Sequence, residues 1–356
     1  MQLGILGFPK AGKTTLFNTL TVSHQATDKF ATSGETNVGV AQVRDRRLEQ
    51  LRDLFKPKRY VPATVQYMDI PGMRKGESAE SLDLAKLKAG DALVHVVRAF
   101  EDAEIVHPEG KVDPARDVEI VDLELILSDH TLVEKRLDRL EKAAKRGLNP
   151  EEQREKTLLK EIVLPALEAE KPLREIELDA DDERRLRGFQ LLSAKPMLLV
   201  VNVDEARVAS ADPAALGIPI RPAVRAVVVS APIEDEISRL PGDEQAEFLS
   251  SLGLAEPSLD RVTRASFDLL GLIAFFTVGE DEVRAWTIRR GTRAREAAGT
   301  IHSDLERGFI RAEVVGCDDL LRLKTLAACK DAGLLRLEGK DYEMKDGDVA
   351  HIRFNV

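Results

Sequence analysis

Gly7-Phe8-Pro9-Lys10-Ala11-Gly12-Lys13-Thr14 is the stretch on which the reading of this chain turns. It satisfies the phosphate-loop pattern GxxxxGK[ST] at every fixed position. Leu3, Ile5 and Leu6 before it read as a short buried strand, and Thr15-Leu16-Phe17-Asn18-Thr19-Leu20 after it read as a helix. Glycines let the backbone curl so that successive N–H groups face one anion, and the helix N-terminus adds a partial positive charge there. In such a loop Lys13 reaches the β- and γ-phosphates and the Thr14 hydroxyl takes one position on Mg²⁺.

Further along, Asp69-Ile70-Pro71-Gly72 closes a strand-like run over 64–68. An Asp at a strand end holds Mg²⁺ through a water, and a glycine N–H beyond it senses the γ-phosphate. The next residue is Met73, where many GTPases place a glutamine that orients the attacking water. A thioether cannot do this, so another group or a partner must. Asn202-Val203-Asp204-Glu205 follows the strand-like run 197–201, at the position of the guanine-reading NKxD signature. Val203 stands for the Lys and Glu205 for the Asp. The extra methylene moves the carboxylate about 1.5 Å, enough to lose a bidentate contact to guanine. This argues against guanine specificity without by itself arguing for adenine. Asp204 is out of register and expected to face solvent. Ser230-Ala231 ends another strand, 226–230, and offers backbone N–H groups to a base edge, although the dipeptide alone is weak evidence.

The chain has 356 residues with 43% hydrophobic content, which suggests two or three domains. Its formal net charge of −10 excludes global attraction to nucleic acid or to an anionic membrane. No DNA contact is expected, and any RNA contact needs a local basic patch. One such patch is Arg284, Arg289, Arg290, Arg293 and Arg295 around Trp286; the other reading is a solvated turn with Trp286 in a small core. Cys317 and Cys329 read as two reduced, buried thiols. The N-terminus enters a strand at once, so no signal peptide is expected, and runs such as 197–201 are too short to span a bilayer. A soluble cytoplasmic protein is expected.

Strands at 61–70, 92–99, 197–202 and 226–230 alternate with helical stretches, which predicts an α/β domain with a mainly parallel sheet. Residues 23–36 read as a mobile loop. Residues 114–195 interrupt the alternation. Ile126, Val133 and Leu140 recur every seven residues, with His130, Leu137 and Ala144 in the other seam positions. Gly147 stops that helix; Asn149, Pro150 and Glu151-Glu152 start the next. An inserted antiparallel helical hairpin arm is expected. From 271 onward strand-like runs at 273–278, 283–288, 310–315 and 349–354 surround a helix over 319–330, a small α+β domain. The boundaries are thus 1–113 with 196–270 for the nucleotide-binding domain, 114–195 for the arm and 271–356 for the last domain.

These motifs together resemble the Obg-like ATPase (YchF) family of P-loop NTPases. The resemblance runs from GFPKAGKTTLFNTLT through Asn37-Val38-Gly39-Val40, DIPG, His95-Val96-Val97-Arg98 and Glu205 to GLIAFFTVGEDEVRAWTIRRGT and LEGKDYEMKDGDVAHIRFNV. It implies an Mg²⁺-dependent ATPase that tolerates GTP, is slow alone and associates with the ribosome and its rRNA, with a C-terminal TGS domain of β-grasp type. The alternatives are a GTP-binding switch of the Obg class, or a nucleotide-dependent RNA- or ribosome-binding module with little hydrolysis. By position, Gly7, Pro9 and Lys10 to Thr15 line the phosphates, and Asn202, Val203, Glu205, Ser230 and Ala231 belong to the base side. Lys13, Lys10 and Gly72 serve catalysis, and Thr14, Ser33 and Asp69 serve the metal. The family has Asn at the place of Lys10, where it can help hold a potassium ion; an ammonium cannot coordinate that ion but can replace its charge. The switch ligand counts back to Ser33, with Thr32 and Thr36 as the other choices.

Overall fold

The computed structural model describes residues 1–22, 37–70, 84–219, 221 and 223–355. Residues 23–36, with Thr32, Ser33 and Thr36, and residues 71–83, with Gly72 and Met73, lie outside the described residues. Along the chain the strands are β1 (Gln2–Leu6), β2 (Asn37–Val43), β3 (Arg59–Val61), β4 (Ala63–Asp69), β5 (Ala92–Arg98), β6 (Met197–Asn202), β7 (Val224–Val229), β8 (Leu272–Thr277), β9 (Glu282–Arg289), β10 (Phe309–Gly316), β11 (Arg336–Glu338) and β12 (Asp348–Phe354). The α-helices are α1 (Lys13–Val22), α2 (Arg46–Phe55), α3 (Leu84–Ala89), α4 (Pro114–Ala144), α5 (Pro150–Leu158), α6 (Leu164–Glu168), α7 (Ala180–Arg187), α8 (Ala231–Arg239), α9 (Gly242–Ser251), α10 (Ser258–Leu269), α11 (Ala294–Ile301), α12 (Ser303–Arg307), α13 (Cys317–Leu323) and α14 (Leu326–Asp331). The chain forms two compact units, Met1–Gly39 with Gln66–Val262, and Val40–Val65 with Thr263–Val356.

A sheet of order β2-β4-β1-β5-β6-β7 carries the first unit. β1 lies parallel to β4 and β5, and β5, β6 and β7 continue parallel. All of β5 and β6 is buried, as expected for strands covered on both faces. The register aligns Ile5 with Asp69, Leu6 with His95, Arg98 with Asn202 and Asn202 with Val229. The carboxyl ends of these strands therefore share one edge, where ligands bind in parallel α/β sheets.

Helix α4 begins where Asp113 caps Arg116 N, with Pro114 just inside. At a rise of 1.5 Å per residue its 31 residues span about 46 Å. Only the outer part is arm. Val118, Val121 and Leu125 pack with Leu6, Met68 and Leu199 in the core of the sheet, so the root of the insertion belongs to the nucleotide-binding core. Beyond it Ile126, Val133, Leu137 and Leu140 pack against Leu158, Leu159, Val163 and Leu167. His130 sits partly in solvent beside Glu134, and Ala144 is exposed. The return helix starts with the expected Asn149 cap, which with Glu152 forms a capping box, and widens into a π turn over Leu159–Val163. Pro165 just beyond has no N–H to give the carbonyl four residues back, which accounts for the irregular turn. Two ties close the base: Asp129 accepts from Leu192 N (2.8 Å), Ser193 N (2.7 Å) and Ser193 Oγ (2.7 Å), and Arg174 pairs with Asp122.

The second unit holds a sheet of order β11-β10-β12-β8-β9-β3. β8 and β9 form an antiparallel hairpin, β12 runs parallel to β8, and β10 is antiparallel to β12 and β11. Ala294, Ala297 and Ala298 of α11 close one face over Phe275, Ile288, Val314 and Ile352. The single helix expected over 319–330 is two, α13 and α14, because Lys324 takes a left-handed φ of 69° and Thr325 caps the second. The segment Val40–Val65, read from sequence as part of 1–113, groups here. β3 adds to β9 in parallel register, and α2 packs on β9 and α13.

Candidate functional site

The phosphate loop forms at the end of β1. Gly7 (φ 138°) and Gly12 (φ 99°) hold positive-φ conformations. A Cβ at Gly7 would lie 2.4 Å from the carbonyl of Val96, and one at Gly12 2.5 Å from Asn202 Nδ2, so neither position has room for a side chain. Lys10 also has positive φ, 61°, and its side chain is exposed on the loop crown. Lys13 is 7% exposed, and its Nζ donates to the Phe8 carbonyl at 2.7 Å. Burial lowers its pKa to about 8, against a smaller raising influence of Asp69. The cation thus waits folded into its own loop.

Thr14 and Asp69, fifty-five residues apart, meet at the mouth: the hydroxyl donates to Oδ2 at 3.3 Å. Burial raises the Asp69 pKa, opposed by the Thr14 bond and by Lys13. Among the described residues no group of three or more His, Cys, Asp or Glu forms a ready metal cage. One hydroxyl and one carboxylate facing a phosphate loop suit Mg²⁺, which keeps waters and takes its other ligands from phosphate.

Asn202 does what its motif position does not spell out. Its Nδ2 donates to the Ala11 carbonyl (3.0 Å), and its Oδ1 accepts from Ala231 N (3.0 Å). One buried side chain therefore ties the loop to the start of α8. The Ala231 N–H, offered from sequence to a base edge, is spent on this bond. Ser230 is fully buried with its hydroxyl unpartnered. Val203 is 1% exposed and packs in the core, whereas Glu205 is exposed at the start of a 3₁₀ turn. Asp204 faces solvent as expected and pairs with Arg207 at 2.6 Å. Thr15 is exposed and Pro9 half-buried beside the loop.

Two buried histidines have no role read from the sequence, where His95 stands only within a family motif. His95 on β5 is fully buried with both ring nitrogens unpartnered, and its Cδ2 would touch a Cβ at Gly7. Burial, then Lys13 and Arg174, drives its pKa down to about 3, so it is neutral. His107 packs against Phe8 of the loop, ring centroids 5.8 Å apart, and its Nε2 lies 2.9 Å from Asp117 Oδ2 in the first turn of α4. Phosphate loop and arm root are thereby in one contact chain. Arg98, nearly enclosed, donates to the carbonyls of Phe100 and Ile105 and shapes the connection between them. No periodicity marks these residues, because each is defined by partners distant in sequence.

Of the five arginines read as a patch around Trp286, three hold contacts within this unit. The Trp286 N–H donates to Thr277 Oγ1 (2.9 Å), its ring stacks on Phe275, and the Arg284 guanidinium lies over it at 4.2 Å. Arg293 pairs with Asp341, and Arg295 donates to the Glu306 carbonyl. Trp286 is thus half-buried and packed against the small core.

A glycine loop between first strand and first helix, a buried lysine within it and an aspartate at the neighbouring strand end define a P-loop nucleoside triphosphatase. Residues 2–133 match the family described as 50S ribosome-binding GTPase, and residues 272–355 match the YchF GTPase C-terminal family, described as a protein of unknown function. The chain is 44% identical to the ribosome-binding ATPase YchF of Bacillus subtilis, covering all of both chains. It is 35% identical to Obg-like ATPase 1 of Rattus norvegicus, covering all of this chain and 93% of the rat protein. The solved YchF GTPase of Schizosaccharomyces pombe superimposes with a TM-score of 0.88 at 32% identity, over 99% of this chain and 97% of that one. The chain belongs to the YchF, or Obg-like ATPase, family.

Proposed function

We propose that this protein is an Mg²⁺-dependent ATPase acting with the ribosome in the cytoplasm, slow on its own. The observation that carries the base preference is the pair Val203 and Glu205. The residue at the lysine position of a guanine clamp is a valine packed in the core, and the carboxylate is a longer one on the surface. The names of the full-length relatives supply the ribosome as partner.

In this reading water attacks the γ-phosphorus, the bond to the β–γ bridging oxygen breaks, and ADP and inorganic phosphate leave. Lys13 exchanges the Phe8 carbonyl for the β- and γ-phosphates. The loop from Gly7 through Pro9 and Lys10 to Thr15 surrounds them, and Gly72 meets the γ-phosphate. Thr14 and Asp69, with Ser33, would hold Mg²⁺, which would offset the phosphate charge. Lys10 on the loop crown supplies a cation in place of the potassium ion that an Asn at its position could help hold. Asn202 fixes the loop and borders the base with Glu205, Val203, Ser230 and Ala231. Residues 271–356 serve as a TGS-type β-grasp module, and the outer part of 114–195, from Ile126 onward, as an arm on the domain read as 1–113 and 196–270.

Calorimetric competition between ATP and GTP tests the pocket; ATP is expected to bind at least as tightly, and a tenfold preference for GTP would overturn this. Single-turnover hydrolysis with and without ribosomes tests the activity. Acceleration by ribosomes is expected; no hydrolysis in either arm would leave a nucleotide-dependent binding module instead.

A further inference from the structure

The second unit contains a cavity of about 300 Å³ that the phosphate-loop chemistry does not use. Its apolar lining includes Phe267, Leu272, Ala274 and Ala285. Its polar lining is five arginines, Arg44, Arg46, Arg47, Arg264 and Arg290, against three aspartates, Asp45, Asp268 and Asp346. That excess is positive in a chain of formal net charge −10.

The aspartates are largely committed. Arg47 binds Asp45 Oδ2 and Asp346 Oδ2, each at 2.8 Å, and Asp45 Oδ1 also accepts from Arg47 N. Asp346 Oδ1 accepts from Ala274 N at 3.0 Å. Arg47 itself is held over the Phe276 ring at 5.4 Å. These bonds build a wall, beside which Arg46 and Arg290 are exposed in the lining, together with Arg44, Arg264 and the third aspartate, Asp268. Planar guanidinium groups match phosphate oxygens and stack on bases. A volume of about 300 Å³ is at the small end of ligand pockets, suited to a single nucleotide.

We propose that this cavity binds one nucleoside phosphate, its base against the Phe267 side and its phosphate on Arg46 and Arg290. The chemistry is shared by a free nucleotide and by an unstacked nucleotide of RNA. In the second case the site deepens the ribosome reading; in either case it is separate from ATP hydrolysis.

The test uses the full chain with Mg²⁺ and its phosphate loop saturated by a non-hydrolysable ATP analogue, whose binding is measured first. That control fails if the ATPase reading fails, whatever the second cavity does. Adenosine 3′,5′-bisphosphate, a single-stranded RNA tetranucleotide and inorganic phosphate are then titrated by calorimetry. Saturable one-to-one binding of the bisphosphate or the tetranucleotide is expected, at least tenfold tighter than phosphate alone. The Arg46→Glu/Arg290→Glu protein should lose at least tenfold of it while keeping its affinity for the ATP analogue. Tighter binding of the tetranucleotide assigns the site to RNA, and tighter binding of the bisphosphate to a free nucleotide. Absence of saturable binding by both, phosphate as tight as either, or binding unchanged in the double variant would each overturn the proposal.

Discussion

Two ionisable side chains in the site carry charge states that burial decides. Lys13 is lowered to about pH 8 by desolvation, and a triphosphate against it favours the charged form. At pH 8 the free protein is about half deprotonated at this group, so ATP binding must draw in about half a proton. At pH 6.5 the uptake should vanish, and affinity should weaken as pH rises past 8. Calorimetry in buffers of different ionisation enthalpy counts the proton; none between pH 7 and 9 would refute the lowered value. His95 works on stability. Its folded pKa, about 3, lies below the ordinary 6.5, so below pH 6.5 the unfolded chain takes a proton that the folded protein refuses. The neutral histidine therefore costs no proton linkage above pH 6.5, and stability falls as pH drops from 6.5 toward 3. The slope is about 1.4 kcal/mol per pH unit, or about 2 kcal/mol between pH 6.5 and 5. His95→Leu should flatten that part of the profile in urea denaturation; an unchanged slope would assign the acid sensitivity to other groups.

Elements show where an insertion ends and a core begins. Helix α4 is one rod, yet Val118, Val121 and Leu125 belong to the sheet's core and Ile126 onward to the arm. Excising 118–190, most of the insertion read from the sequence as 114–195, would remove three buried core side chains, at about 1.5–3 kcal/mol each by burial alone. That variant is expected to lose its cooperative unfolding transition. Excising 133–187 with a short Gly/Ser linker keeps the ties between Asp129 and residues Leu192 and Ser193, and should bind ATP within threefold of the full chain. Equal folding of both variants in calorimetric melts would show that the root of α4 is dispensable.

Across the whole molecule, the first strand crossing out of the nucleotide-binding unit matters most. Residues Val40–Val65 sit with the C-terminal residues, and α2 buries Leu48 and Leu51 completely. A chain cut after residue 270, where the texture of the sequence changes, would strip β3 of β9 and α2 of its packing partners. Two leucines exposed at about 1.5–3 kcal/mol each should leave that segment open. Limited proteolysis of the 1–270 fragment is expected to cut within 44–62 before anywhere in β5 or β6, as read by mass spectrometry. Resistance of that segment would mean that it folds without the C-terminal residues.

The sequence by itself determined the phosphate loop, the parallel order implied by buried strands, the Asn149 cap, the broken guanine clamp and the family. Each is written in consecutive residues or in a short period, so local stereochemistry suffices to read it. Only the tertiary structure decided that Asn202 ties the loop to α8, that Trp286 stacks half-buried on Phe275, that α4 starts inside the core and that arginines from α2, α10 and the end of β9 share a cavity. Asn202 and Ala11 are 191 residues apart, and Arg46 and Arg290 are brought to one cavity by a chain that leaves the second unit and returns. Burial and desolvation, which set the charge of Lys13 and His95, are properties of packing around a residue and have no signature in its neighbours along the chain.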